Sequence, residues 1–80
     1  MDLVQKDMNL SVTFDPNLFF FLPAERQSAG FIHPINRRAS VKDIIESLGV
    51  PHTEVGQILL DHEPVGFERI PESDSRLDIR

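Results

Sequence analysis

Few side chains in this 80-residue sequence are of a type and spacing that could do chemistry. His33, His52 and His62 stand in three separate segments without ligand-spaced partners, and cysteine is absent, so no metal site of the histidine or thiolate kind is expected. Glu72, Asp74 and Asp78 gather late in the chain, but with no base or nucleophile beside them they do not read as an acid pair for hydrolysis. No catalytic residue and no cofactor are expected. Two other sets suit binding. Arg37, Arg38 and Lys42, with Arg26 upstream, form a small basic patch able to meet RNA phosphates; the plainer reading is a solvated loop and helix start. Phe19, Phe20 and Phe21 cannot all share one face of a helical turn, so at least one of Phe19 and Phe20 should reach the surface. That pair either packs beneath the neighbouring loop or forms a surface for a protein partner.

Composition narrows the classes further. A net charge of −5 makes nucleic acid an unfavoured partner, because phosphate backbones are normally met by a basic face. The longest apolar run, Leu18 to Leu22, is far too short to cross a bilayer, and Met1 to Asn9 mixes Asp2, Lys6 and Asp7 with its apolar residues, unlike a secretory leader. These features predict a cytoplasmic protein without membrane contact. A chain of this length makes one small domain whose apolar residues are nearly all needed for its core, which leaves little for a deep pocket.

The elements that must position these residues are legible in part. Residues 1–9 read as a flexible lead-in and 10–80 as one domain. Leu10, Val12 and Phe14 alternate with Ser11 and Thr13, the period of a strand with one buried face. Asp15 and Pro16 start a short helical turn that should bury Leu18, Phe21 and Leu22 before Pro23 ends it. Residues 24–30 read as a polar loop, and Phe31 to Ile35 as a short strand that Pro34 confines to an edge. Ser40 caps a helix with Asp43 three residues on; Val41, Ile44, Ile45 and Leu48 recur at helical spacing, Gly49 closes it and Pro51 prevents its continuation. His52 falls in a polar turn after that helix. A strand over Gln57 to Leu60, a turn over Asp61 to Pro64, a return strand over Val65 to Phe67 and a last strand around Leu77 and Ile79 complete the order. The turn lacks the favoured Asn-Gly pair, so it should be strained or longer. This order predicts an α+β fold of ubiquitin-like (β-grasp) type, a mixed sheet of four to five strands with one main helix packed on one face.

The stretch from Ser40 to Val55, SVKDIIESLGVPHTEV, closely resembles the ubiquitin-like domain at the N-terminus of bacterial Mut-seven C-terminal ribonuclease proteins. The likeness extends to Phe21, Leu22, Pro23 and Arg26 before the helix and to Ile58, Leu59, Leu60, Val65 and Phe67 after it. It implies a β-grasp fold related to the sulfur carriers of thiamin and molybdopterin synthesis, beside a PIN-like nuclease with a zinc ribbon. It therefore implies a non-catalytic ubiquitin-like interaction module serving a protein partner or a fused nuclease domain. Two departures bear on function. The nuclease and its cysteine-rich ribbon are absent from these residues, so no catalysis carries over, and the family usually has polar residues where Phe19 and Phe20 stand here. The alternative implied by kinship, a sulfur-carrier protein, requires a flexible C-terminal Gly-Gly; the sequence has no glycine after Gly66, which disfavours it.

Overall fold

The computed structural model describes residues 7–27 and 30–80, so the first six residues of the expected lead-in, and Ser28 and Ala29 of the expected loop, lie outside the described residues. The alternation around Leu10 forms strand β1 (Met8–Phe14). It begins two residues before the alternation does, because Met8 and Asn9 pair with Ile35 and Pro34 of β2 (Phe31–Ile35). Asp15 then closes the strand. Its N–H donates to the Ile79 carbonyl at 2.8 Å while its carboxylate accepts from the Asn17 N–H at 2.9 Å, so the helical turn, expected over Pro16 to Leu22 and found over Pro16–Phe21, starts capped. The turn is 3-10 rather than α, and it buries Leu18 and Leu22 while Phe21 stays half-buried. A second 3-10 turn, Ala24–Arg26, gives the following loop more structure than its polar composition suggested.

Helix α1 (Val41–Ser47) is capped at both ends as its sequence predicts. The Ser40 hydroxyl accepts from the Asp43 N–H, and the Val41 and Lys42 N–H groups donate to the carbonyls of Arg69 and Phe67, which ties a distant loop to the helix start. At the other end Gly49 takes φ 98°, its N–H donates to the Glu46 carbonyl and the Val50 N–H reaches back to the Ile45 carbonyl. That double bond is the Schellman closure, which favours glycine at the left-handed position. His52–Glu54 forms a 3-10 turn after it.

The remaining strands are β3 (Ile58–Leu60), β4 (Glu63–Pro64) and β5 (Ser75–Ile79). The expected hairpin needs correction. Instead of a turn over Asp61 to Pro64 and a strand over Val65 to Phe67, Asp61 and His62 alone make the turn, with φ 51° and 72°. Leu60 then pairs with Glu63 directly, so the return strand falls on Glu63 and Pro64. The non-glycine turn is held from outside: the Asp61 N–H donates to the Arg76 carbonyl at 2.8 Å, and the Arg76 N–H returns a bond to the Asp61 carboxylate at 2.9 Å.

Among the described residues the five strands form one mixed sheet in the order β2-β1-β5-β3-β4, with β1 and β5 parallel and the other pairs antiparallel. This is the α+β arrangement the sequence predicts. One face of the sheet, carrying Leu10, Val12, Phe14, Leu77, Ile79, Ile58 and Leu60, shares a continuous core with Val41, Ile44, Ile45 and Leu48 of α1. Both outer strands contain a proline, Pro34 and Pro64, a residue whose missing N–H is tolerated at a sheet margin.

Candidate functional site

The three phenylalanines have separate fates. Phe19 is half-buried and packs on the core, Phe21 does the same, and Phe20 is 89% exposed. Chemistry at the backbone fixes this split. Leu22 donates its N–H to the Phe19 carbonyl at 2.9 Å, and the Gln27 side-chain amide spans the turn, donating to the carbonyls of Phe19 at 3.0 Å and Leu22 at 2.7 Å. With Asp15 capping one end and Gln27 clamping the other, the turn is preorganised. Phe20 rests edge-on against Phe21, ring centres 5.3 Å apart, so the exposed ring has a defined mount.

The basic residues divide. Arg37 and Arg38 both line a surface cleft of about 450 Å³, but Asp7, Glu72 and Asp74 line it too, so its charge is mixed. Lys42 is exposed on the first turn of α1 and lines no part of that cleft; its charge helps lower the pKa of Glu46 one turn on. Arg26 stands elsewhere, its guanidinium 5.1 Å from the centre of the Phe31 ring, which itself stacks on Phe14.

The histidines occupy three unrelated places. His33, half-buried in β2, is held below its ordinary pKa first by burial and then by the Arg26 charge. The His52 ring meets the Glu46 carboxylate at 2.5 Å and stands edge-on to Phe67, with ring centres 5.3 Å apart. His62 sits in the hairpin turn. Among the described residues no three His, Asp or Glu side chains group in a way that could hold a metal ion.

The late carboxylates do structural work. Asp74 accepts from the Asn9 N–H at 2.8 Å. Asp78 is 7% exposed although it lies on the sheet face away from α1, where the Thr13 hydroxyl and the Arg76 guanidinium both donate to it. Burial alone would raise its pKa; those two hydrogen bonds and the Arg76 charge outweigh burial and hold the carboxyl below its ordinary value. Glu72 is exposed at the mixed-charge cleft. The backbone of Arg80 is likewise committed: its N–H donates to the Gln57 carbonyl, and its own carbonyl accepts from Gly56 and Gln57.

Two features escaped the reading by residue type. One is the buried Asp78 group, in which Thr13 is 65 positions from Asp78 while Arg76 is two. The other is the lack of acidic residues beside the basic ones already named: residues 26–42 carry Arg26, Arg37, Arg38 and Lys42 and none of the 13 acidic residues, and strand β2 falls within this stretch of sequence.

The family model for the Mut7-C ubiquitin domain matches residues 8–80, and the chain belongs to that family, as the resemblance around α1 implied. The five-stranded mixed sheet with its single main helix is thus ubiquitin-like. No curated protein matches the chain. Among the described residues no helix is long and apolar enough to cross a membrane.

Proposed function

We propose that this ubiquitin-like domain is a non-catalytic interaction module that docks a protein partner in a nuclease system through Phe20. The observation that carries this reading is the exposure of a whole phenylalanine ring, 89%, on a turn clamped by Asp15 and Gln27. An ordered backbone lowers the entropy lost when the exposed ring is bound, and aromatic anchors of this kind dominate interface energetics. Family membership supports the nuclease setting. Charge supports it as well: outside residues 26–42 the surface is strongly acidic, which complements the basic surface an RNA-acting protein presents to its substrate.

The test uses the nuclease domain of a Mut7-C protein titrated into the isotope-labelled 80-residue chain. Amide shifts should centre on residues 18–22, and Phe20→Ser should lower affinity at least about tenfold while changing unfolding stability by less than about 0.5 kcal/mol. Binding that is indifferent to Phe20→Ser, or shifts confined to other elements, would remove Phe20 from the interface.

A further inference from the structure

Strand β2 is the outer strand next to β1, and on its far side no strand of the described residues pairs with it. Its register assigns its faces: Phe31, His33 and Ile35 stand opposite Val12, Leu10 and Met8 on the core side, while Ile32 and Pro34 stand opposite Ser11 and Asn9 on the other. Ile32 is 61% exposed there. In an antiparallel pair alternate residues turn their N–H and C=O groups toward the partner. Pro34 has no N–H to give, and a strand wastes no bond if that nitrogen faces outward. In that phase the Ile32 N–H and C=O and the Pro34 C=O also face outward, a short open template for another strand.

The charge around this edge is opposite to that of the whole molecule. Arg26 covers the Phe31 ring on the core side of the strand. Arg37 follows the strand and, with His33, Pro34, Asn36 and Ile44, lines a cavity of about 80 Å³ between β2 and α1. Among the described residues neither arginine is within ion-pair distance of a carboxylate.

We propose that the β2 edge accepts a short, extended, acidic segment of a partner protein as an added strand. Its apolar side chains lie over Ile32 and Pro34, and its carboxylates, on the alternate positions, meet Arg26 and Arg37. Backbone bonds give the segment its affinity and the alternation gives it selectivity. A second copy of this chain is a poor occupant, because it would bring an equally basic edge against this one. RNA is a poor occupant because Arg26 already covers the ring that a base would stack on. This inference is independent of Phe20.

The experiment titrates the isotope-labelled full chain with three probes: a capped hexapeptide alternating Ile or Val with Asp or Glu, the same peptide with Lys in place of the acids, and a uridine oligonucleotide. The acidic peptide should shift the Ile32, His33 and Ile35 amides, slow hydrogen exchange at Ile32 at least about tenfold, and bind more weakly as salt rises. R37E should cut its affinity about tenfold or more, and Phe20→Ser should leave it unchanged. No β2 response to millimolar acidic peptide, an equal response to the lysine peptide, or a larger β2 response to the oligonucleotide would each overturn the proposal. The titration of the unsubstituted chain decides the matter whether or not R37E folds.

Discussion

Thr13 and Asp78 stand side by side on the parallel β1–β5 pair, and the Thr13 hydroxyl donates to the Asp78 carboxylate on the face of the sheet that α1 does not cover. Arg76, two residues before Asp78 on the same face, donates to both carboxylate oxygens at 3.1 Å. Both donors help to offset the cost of burying this charge. Asp78→Ala should therefore destabilise the domain by about 1–3 kcal/mol in denaturant unfolding, and Thr13→Val by less, since Arg76 remains. A double-mutant cycle should show coupling above about 0.5 kcal/mol; strict additivity would mean the hydroxyl contributes nothing to holding the carboxylate. Because the folded pKa is depressed, this contribution is complete above the ordinary carboxylate range and is lost as pH falls below that range and through the lower, folded value.

His33 imposes a second pH dependence at milder acidity. Burial, aided by Arg26, lowers its pKa below the ordinary 6.5, so the folded state favours the neutral ring while the unfolded state takes up a proton first. Stability is complete above pH 6.5 and declines as pH drops below it. Comparing unfolding midpoints at about pH 7.5 and 5.5, His33→Gln should flatten this decline. An equal decline in both proteins would assign it to other groups.

Glu46 and His52 link the last turn of α1 to the 3-10 turn that follows it. Hydrogen bonds from the His52 ring and backbone are the main reason the Glu46 carboxyl titrates below its ordinary value, with the Lys42 charge a smaller one. Carboxyl-detected NMR titration should find the Glu46 midpoint moving up toward the ordinary range in His52→Ala. An unmoved midpoint would show that the pair does not persist in solution.

Gly49 is required by its backbone. At φ 98° an L side chain is strained, and a Cβ there would come within 3.2 Å of the Phe21 carbonyl, on the turn that mounts Phe20. Gly49→Ala should cost about 1–3 kcal/mol in thermal or denaturant unfolding. A loss below about 0.5 kcal/mol would mean that the helix end and the turn can shift without penalty.

The hairpin offers the opposite experiment. His62 holds φ 72° in a two-residue turn where glycine is preferred, so His62→Gly should stabilise the protein by about 0.5–1 kcal/mol. Asp61→Ala should do the reverse, because the Arg76 N–H loses its carboxylate acceptor. A destabilising His62→Gly would place a contact of the imidazole ahead of the backbone strain.

Elements closed by short-range bonds were legible in the sequence. Ser40, the apolar spacing from Val41 to Leu48, and Gly49 specify α1 because the Ser40 cap, the helical bonds and the Gly49 closure join residues at most five apart, and those bonds are present. The β1 alternation was legible for a similar reason: a strand with one buried face needs only a period of two. The return strand was misread at Val65–Phe67 because Asp61 and His62, which tolerate positive φ better than most residues but less well than glycine, signal a two-residue turn only weakly; the bonds that hold it come from Arg76, fifteen residues away.

By itself, then, the sequence determined the class of the fold, its main helix, its family and the expectation that at least one of Phe19 and Phe20 would meet solvent. Only the tertiary structure decided that the exposed ring is Phe20, that Asp78 is buried among donors, and that strand β2, within the acid-free stretch of sequence, is an outer strand of the sheet among the described residues. The physical reason is distance along the chain. Periodicity and caps are properties of neighbouring residues, whereas exposure, depressed pKa values and the charge of an edge depend on strand order and register between segments up to 65 residues apart.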